Sequence, residues 1–386
     1  MPDAPGPRTA SRRRRGPAVL LVLGCAVLAG VPADAARPDR DGLTEDWSAV
    51  RPGGPIAGLV ADGRRVVAIG ETRAGPAGLA GYDGATGARL WRARLPWAHT
   101  GDPVGGRGVV IVPSGAESGR RPIDYVALDT ATGVRRWRVH VRTRAFPAGR
   151  PATGRPQAAG ALLGGVFYYA DGRTVTGVDA ATGKVRHRFT SRYATGVAGP
   201  VTAGGRIVLL ARPPGARSGH RRVLLRFAPD LTPYPPVEVP GPTARGPDRV
   251  AASGHTVLTW GPDVLQAVDA RDGRALYRRK TNRWAETDGV TGGTVLVHGT
   301  ENGHALLLAL DLRTDRRLWS FRIPRRSGID AQAGTVFVIG PGVAAVDPRT
   351  GRTVYTHAAR SPGPGLAVPA AGRIVVADQN RVTGYR

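Results

Sequence analysis

One eleven-residue pattern occurs six times along the chain, and it restricts the fold more than any other feature. It consists of a small residue, any residue, an aspartate, three residues, usually a glycine, three residues and usually an aromatic residue. The copies span residues 81–91, 127–137, 177–187, 267–277, 309–319 and 345–355. The repeat motif therefore contains Asp83, Trp91, Asp129, Trp137, Asp179, Asp269, Asp311, Trp319 and Asp347.

Each copy predicts a β-hairpin. A short apolar, β-branched run precedes the aspartate, and a strand of alternating character follows the glycine. The aspartate can accept hydrogen bonds from the turn amides, and the glycine supplies the positive φ that a bulged hairpin loop requires. The aromatic residue presents a large apolar surface to a neighbouring unit. His187 stands at the aromatic position of its copy, where packing is the expected role.

The spacing of the copies predicts a β-propeller. A further strand pair lies upstream of each hairpin, so each repeat holds four strands in about 40 to 50 residues, the length of one blade. One gap is two repeats long and contains a degenerate copy, residues 223–234. The first strand, residues 43–52, aligns Trp47 with Trp91, while the end of the chain, residues 382–386, aligns with residues 79–83. The two termini would share one blade, which gives an all-β, eight-bladed propeller.

The motif resembles the repeat of the pyrroloquinoline quinone (PQQ) family of eight-bladed propellers, in which the aromatic residue of one blade packs against the hairpin of the next. The resemblance covers nearly all of residues 43–386 and implies the fold, because the motif is a packing device. Quinone enzymes of this family hold PQQ with calcium in the central channel and often carry a vicinal cysteine pair. This chain has a single cysteine. Its size and N-terminus favour the exported, non-enzymatic branch of the family.

Residues 1–36 have the anatomy of an export signal. Residues 12–15 are four arginines, residues 18–31 form an apolar run, and residues 33–35 form a small-x-small cleavage site. Residues 37–42 are then a short linker to the propeller of residues 43–386.

The only cysteine lies inside this signal. Cys25 ends the sequence VLGC, which resembles the lipobox of bacterial lipoproteins and makes Cys25 a candidate lipidation site. Secretion, lipid attachment and an uncleaved anchor at the N-terminus all stay open. Each of them predicts an extracytoplasmic location.

The formal net charge of +26 predicts attraction to anionic surfaces. Nearly all of the 55 basic residues are arginines, since Lys184 and Lys280 are the only lysines. The alternative interpretation is codon bias in a GC-rich genome, with the arginines on a solvated surface.

Three long insertions bring arginines to one face of the predicted ring. They are residues 113–124, 142–157 and 211–222, and antiparallel strand order places all three on the same side. Clustered guanidinium groups bind carboxylate or phosphate by paired hydrogen bonds. The candidate partner-binding residues are Arg120, Arg121, Arg142, Arg144, Arg150, Arg155, Arg212, Arg217, Arg221 and Arg222.

These observations favour a monomeric, non-catalytic exported scaffold that binds an envelope protein or an anionic polymer, with no specific nucleic-acid recognition. The alternative is an oxidoreductase that uses PQQ with calcium, or another cofactor, in the central channel. A hydrolase or lyase that uses channel carboxylates is a third interpretation. No catalytic, cofactor-binding or metal-binding residue is assigned, because His298, Glu301 and His304, expected in a blade loop, match no known ligand spacing.

Overall fold

The computed structural model describes most of the predicted propeller. The described residues are 45–50, 55–70, 76–95, 101–115, 123–141, 160–215, 221–240, 249–260, 264–280, 286–291, 293–301, 304–312, 314, 316–324, 327–332, 335–339, 342–358, 366–377 and 381–386. Within these ranges the regular elements are β-strands, and no helix is long and apolar enough to cross a membrane. The predicted signal, with Cys25, lies outside them.

Eight four-stranded antiparallel sheets form the blades of a propeller, as the motif predicts. The chain begins with β1 (Glu45–Val50), which belongs to blade 8. Blade 1 contains β2 (Ile56–Asp62), β3 (Arg65–Gly70), β4 (Gly78–Asp83) and β5 (Arg89–Arg94). Blade 2 contains β6 (Val104–Gly106), β7 (Val109–Ser114), β8 (Ile123–Asp129) and β9 (Arg135–Val141). Blade 3 contains β10 (Ala161–Leu163), β11 (Val166–Asp171), β12 (Thr174–Asp179) and β13 (Val185–Thr190).

The second half of the ring repeats this order. Blade 4 contains β14 (Ala194–Ala203), β15 (Arg206–Arg212), β16 (Arg221–Phe227) and β17 (Val237–Pro240). Blade 5 contains β18 (Arg249–Ser253), β19 (Thr256–Trp260), β20 (Val264–Asp269) and β21 (Ala275–Lys280). Blade 6 contains β22 (Glu286–Thr291), β23 (Thr294–Glu301), β24 (His304–Asp311) and β25 (Arg317–Arg322). Blade 7 contains β26 (Gly328–Gln332), β27 (Thr335–Ile339), β28 (Gly342–Val346) and β29 (Thr353–Ala358).

Blade 8 closes the ring with strands from both ends of the chain. Its sheet joins β30 (Leu366–Ala370), β31 (Arg373–Ala377) and β32 (Arg381–Tyr385) to β1. Trp47 pairs with Gly384 in the same way as Trp91 pairs with Gly81 in blade 1. The predicted sharing of one blade by the two termini is confirmed, and the ring has no open seam.

The hydrophobic core lies between the blades rather than at the centre of the ring. The middle strands are buried on both faces, as β7 is along its whole length. Val67 and Ile69 of blade 1 pack with Val110 and Val126 of blade 2 in one cluster. Each buried aliphatic side chain stabilises the fold by about 1.5–3 kcal/mol. The ring therefore depends on contacts between neighbouring blades.

Strand order defines the surfaces of the ring. The first strands of neighbouring blades contact one another around the whole ring, so they line the channel, and the fourth strands are outermost. We call the side with the first-to-second and third-to-fourth turns the turn face. The opposite side, with second-to-third loops and interblade links, is the loop face.

Candidate functional site

The motif aspartates organise the turns on the turn face. Asp83 Oδ1 accepts hydrogen bonds from the amides of Ala85 and Thr86 at 2.9 and 3.1 Å. Asp129, Asp179 and Asp347 accept the same pair of bonds from the two equivalent amides of their own turns. These carboxylates are therefore committed to the turns, which makes them structural groups.

Four tryptophans at the aromatic position of the motif each join their blade to the next. Trp91 Nε1 donates a hydrogen bond to the carbonyl of Thr130 in blade 2 at 2.9 Å. Trp47, Trp137 and Trp319 donate equivalent bonds at 3.1, 2.8 and 2.9 Å. The indole of Trp91 also covers the turn glycine of blade 2, Gly133 (φ 71°). The tryptophan thus donates a hydrogen bond to a backbone carbonyl of the next blade. It also leaves no room for a side chain at the glycine of that blade's turn.

Blade 4 replaces this device with an arginine. The position that is glycine or alanine in the six copies is Arg226 here, and its Nη1 donates to the carbonyl of Ala270 in blade 5 at 3.2 Å. Trp91 makes the equivalent bond between blades 1 and 2. Burial, followed by the like charge of Arg206, lowers the pKa of Arg226. The degenerate blade is therefore joined to its neighbour by a charged group.

Acid is expected to weaken the motif turns. The hydrogen bond from Arg136 lowers the pKa of Asp129 to about 2, and the bond from Arg271 lowers that of Asp269 to about 2. An aspartate in an unfolded chain has a pKa of about 3.9, so the unfolded state binds these protons more tightly. Their contribution to stability is complete above about pH 5 and is lost as the pH falls towards 2. We expect the Tm to be flat from neutral pH to about pH 5 and to fall below about pH 4.

The variant Asp129→Asn isolates one of these groups. Its Tm is expected below that of the wild type at pH 7, and the difference should shrink as the pH is lowered to about 2, where the wild-type carboxylate is also protonated. Asp102→Asn is the control, because Asp102 is exposed and makes no hydrogen bond with any described residue. A difference that is equal at both pH values would contradict this account of Asp129.

Three of the ten candidate arginines lie in the described part of the loop face, all in blade 4. Arg212 ends β15, while Arg221 and Arg222 begin β16. They lie on strands rather than within a long insertion, because the pairing of Ala211 with Val223 extends the hairpin. The other seven candidates lie outside the described residues: Arg120, Arg121, Arg142, Arg144, Arg150, Arg155 and Arg217.

The three described candidates differ in exposure. Arg221 is exposed, whereas Arg222 is only 5% exposed and its Nη1 donates to the carbonyl of Arg221 at 3.1 Å. Arg212 is half-buried, and its Nε has no hydrogen-bond partner among the described residues. The surface charge of this part of the loop face therefore comes from Arg221 rather than from Arg222.

The short link between blades 3 and 4 adds another arginine to the loop face, outside the three long insertions. Arg192 lies over the ring of Tyr193 at 4.9 Å and donates to its hydroxyl at 2.8 Å. Both residues precede Ala194, which pairs with Arg212. Arginine and tyrosine next to each other at an interblade link were the available sequence signal.

The outer strands of blades 1, 2 and 3 carry another set of basic side chains that sequence analysis missed. Their exposed residues alternate with residues that pack inward. We call the exposed set the basic rim, and its members are Arg89, Arg92, Arg94, Arg135, Arg136, Arg138, His140, Arg186 and Arg188. The sequence signal was the period-two pattern around each motif aromatic residue.

One buried carboxylate holds two members of this rim. Asp124 is 2% exposed, and its Oδ2 accepts a hydrogen bond from Arg138 Nη2 at 2.6 Å. Its Oδ1 lies 2.9 Å from Nδ1 of His140. Both basic side chains remain partly exposed. Asp124 therefore orients a guanidinium and an imidazole on the same strand.

The histidine and glutamate cluster of blade 6 differs from its expected position. His298 and Glu301 lie on β23 and His304 begins β24, so the three belong to a hairpin rather than to a blade loop. The pairing of β23 with β24 continues as far as Glu301 and His304, which extends the hairpin to this tip. In the described ranges, no group of three histidine, cysteine, aspartate or glutamate side chains could hold a metal ion.

The comparisons with known proteins agree with the architecture. A family model described as outer membrane protein assembly factor BamB matches residues 40–214 and 203–340, which is more than half of the chain. A search of curated protein sequences gives no match.

Solved structures share the fold at low sequence identity. BamB from Moraxella catarrhalis has a TM-score of 0.55 and 16% identity, covering 89% of this chain and 99% of that chain. The quinohemoprotein alcohol dehydrogenase from Comamonas testosteroni has a TM-score of 0.56 and 13% identity, covering 89% and 76%. A computationally designed protein has a TM-score of 0.58 and 14% identity, covering 89% and 99%. BamB, an alcohol dehydrogenase and a designed protein thus share one architecture with this chain.

Proposed function

Because this chain belongs to the family of the outer membrane protein assembly factor BamB, we propose that it is an exported, non-catalytic scaffold. Its loop face binds a protein or an anionic component of the cell envelope. The signal-like residues 1–36 support export of the propeller, and Cys25 is the candidate attachment point to the membrane.

The observation that carries this proposal is the arrangement of the loop face. The three long insertions fall between strands whose ends all lie on that face. Long loops on a rigid scaffold are where binding residues concentrate. Arg192 and Arg221 show that the described part of this face also presents arginine. The motif aspartates and tryptophans, by contrast, are occupied in building the ring.

The partner is expected to carry clustered carboxylate or phosphate groups. Arginine forms planar, paired hydrogen bonds with either group, which favours it where an anion must be recognised with defined geometry. Salt weakens such contacts between exposed charges, because the Debye screening length is only about 10 Å at 0.1 M ionic strength. Binding through the loop face should therefore be sensitive to salt.

The test is capture of envelope components on the full-length protein at low and high salt. In the loop-face variant, Arg120, Arg150 and Arg217 are each changed to Glu. The matched control has the same net charge as the loop-face variant, because three arginines on the turn face, Arg274, Arg349 and Arg352, are each changed to Glu. We expect the wild type to capture a defined partner. The affinity of the loop-face variant for that partner should be about tenfold or more lower, which corresponds to about 1.4 kcal/mol. Equal capture by the two variants would refute the loop face as the binding surface.

The oxidoreductase remains an alternative proposal, supported by the shared fold of the quinohemoprotein dehydrogenase. Calcium takes six to eight oxygen ligands, typically several carboxylates. On the channel-lining strand β2, Asp62 Oδ2 already accepts hydrogen bonds from the amide of Gly108 and the hydroxyl of Thr130 at 2.7 and 2.9 Å. The described residues do not assemble such a ligand set. Calcium-dependent uptake of PQQ by the full-length protein would support the enzyme instead of the scaffold.

A further inference from the structure

A second charged surface lies on the outer circumference of the ring, away from the loop face. We propose that the basic rim binds a linear phosphodiester polymer. The rim belongs to the outermost strands of three consecutive blades, and none of the loop-face candidates is part of it. The proposal therefore stands independently of the loop-face function.

The rim is a basic sector that extends over three consecutive blades. Strands β5, β9 and β13 together contain eight arginines and no acidic residue. The outer strands on either side of the rim differ, since β1 contains Glu45 and Asp46 and β17 contains Glu238. Strands β21 and β25 are also basic and contain no acidic residue, but they span only two blades. The rim is therefore the longer of two basic sectors of the circumference. A surface of one sign raises the local concentration of an oppositely charged polymer.

Part of this charge is uncompensated. Arg136 and Arg186 pair with the motif aspartates Asp129 and Asp179. Arg138 pairs with buried Asp124. Arg92, Arg94 and Arg188 are exposed and form no ion pair with any described residue. A guanidinium stays protonated at any physiological pH. These three residues therefore provide permanent positive charge for a partner.

The strands also give the charges a regular spacing. Arg92 and Arg94 are two residues apart on one side of β5, which separates their Cα atoms by about 7 Å. Arg138 and His140 have the same spacing on β9, and buried Asp124 fixes both. Side chains that are already ordered lose less conformational entropy when a ligand binds. Repeated anionic groups on a flexible chain can follow such a row from blade to blade.

The rim lacks the features that a protein or a membrane would require. Stable protein interfaces centre on buried aromatic anchors, and membrane-surface elements insert Trp, Phe or Leu. Among the described residues no aromatic side chain is strongly exposed, and the exposed large hydrophobic residues of these three blades are single: Leu90, Val134 and Val185. A compact anion would contact only one strand. A phosphodiester polymer, by contrast, can be bound through arginine–phosphate contacts alone, because the affinity comes from counterion release.

The experiment measures binding of a fluorescent 20-nucleotide thymidine oligomer, used as a model phosphodiester chain, to the full-length protein at several salt concentrations. In the rim variant Arg92, Arg94 and Arg188 are changed to Glu. The matched control changes Arg278, Arg316 and Arg322, which are exposed residues of blades 5 and 6. We expect the rim variant to bind about tenfold or more weakly, with the slope of log K against log salt reduced by about 2, or about 0.7 for each lost phosphate contact. Equal losses in the two variants would overturn the proposal.

Further measurements separate the possible ligands. A thymidine dinucleotide should bind at least about tenfold more weakly than the 20-mer, because it can release fewer counterions. Equal affinity for the two would overturn the proposal that the ligand is a polymer. Rim-dependent binding of anionic phospholipid vesicles without binding of the oligomer would assign the rim to a membrane and would also overturn it. Changing the same three arginines to Gln should give an intermediate loss with an unchanged Tm, which excludes misfolding. The loop-face variant should bind the oligomer like the wild type, so that the two proposals can fail separately.

Discussion

Deletion of residues 381–386 is expected to abolish cooperative folding of the ring. These residues form β32, which pairs with β31 on one side and is the partner of β1 on the other. Without it, β1 has no strand to pair with in blade 8, and two sheet edges are exposed at the seam. The deletion also removes buried Val382 and Tyr385.

The size of the effect follows from the position of the strand. Burying two such side chains contributes about 1.5–3 kcal/mol each, against a net stability of about 5–15 kcal/mol for a whole domain. The loss of the ladder to β1 adds to this, so we expect no cooperative thermal transition by circular dichroism. Deletion of residues 37–42, six residues that precede the first strand, is the control and should leave the Tm unchanged. A cooperative transition within about 2 °C of the wild type, the shift that about 1 kcal/mol causes in a large domain, would show that closure does not hold the ring.

The sequence predicts this closure because the N-terminal strand and the C-terminal strand of blade 8 each carry a recognisable part of the motif. Trp47 has the outer-strand context of Trp91, and Gly384 has the third-strand context of Gly81. Both signatures are local and depend on only a few residues. The sequence alone therefore indicates eight blades.

The features that sequence analysis missed are those that depend on contacts between blades. Arg226 reads as a surface arginine of a degenerate copy, yet it is 4% exposed and bonds to blade 5. Arg222, a candidate partner-binding residue, is 5% exposed because its strand is buried from this residue onward. Burial of a long polar side chain is decided by the neighbouring blade, about which the local pattern carries no information.

The basic rim was missed for a related reason. Long insertions are the usual sequence signal of functional loops. The rim arginines lie inside the repeat itself, where each copy shows only two or three of them. They become one surface only when consecutive blades are placed side by side.

Replacement of Gly133 by alanine is expected to cost about as much as removing the tryptophan that covers it. A Cβ atom at Gly133 would lie 2.5 Å from Cδ2 of Trp91, so the indole would have to move. Its hydrogen bond to the carbonyl of Thr130 would then be lost. Gly63 is the matched control, because its φ of 58° is similar but a Cβ there meets nothing within 4 Å. Gly63→Ala should cost only the backbone strain of a left-handed residue, about 1–2 kcal/mol.

A double-mutant cycle with Trp91→Ala tests whether the two residues act as one unit. Trp91→Ala alone should destabilise the fold by about 3–5 kcal/mol, because it leaves a cavity at the contact between blades 1 and 2. Once the indole is absent, Gly133→Ala has no side chain to displace, so its further cost should fall to that of Gly63→Ala. Chemical unfolding of the four proteins would measure these differences. Additive losses would mean that Gly133 is required only for its backbone conformation, and that the tryptophan contributes to the joint between blades independently of the turn.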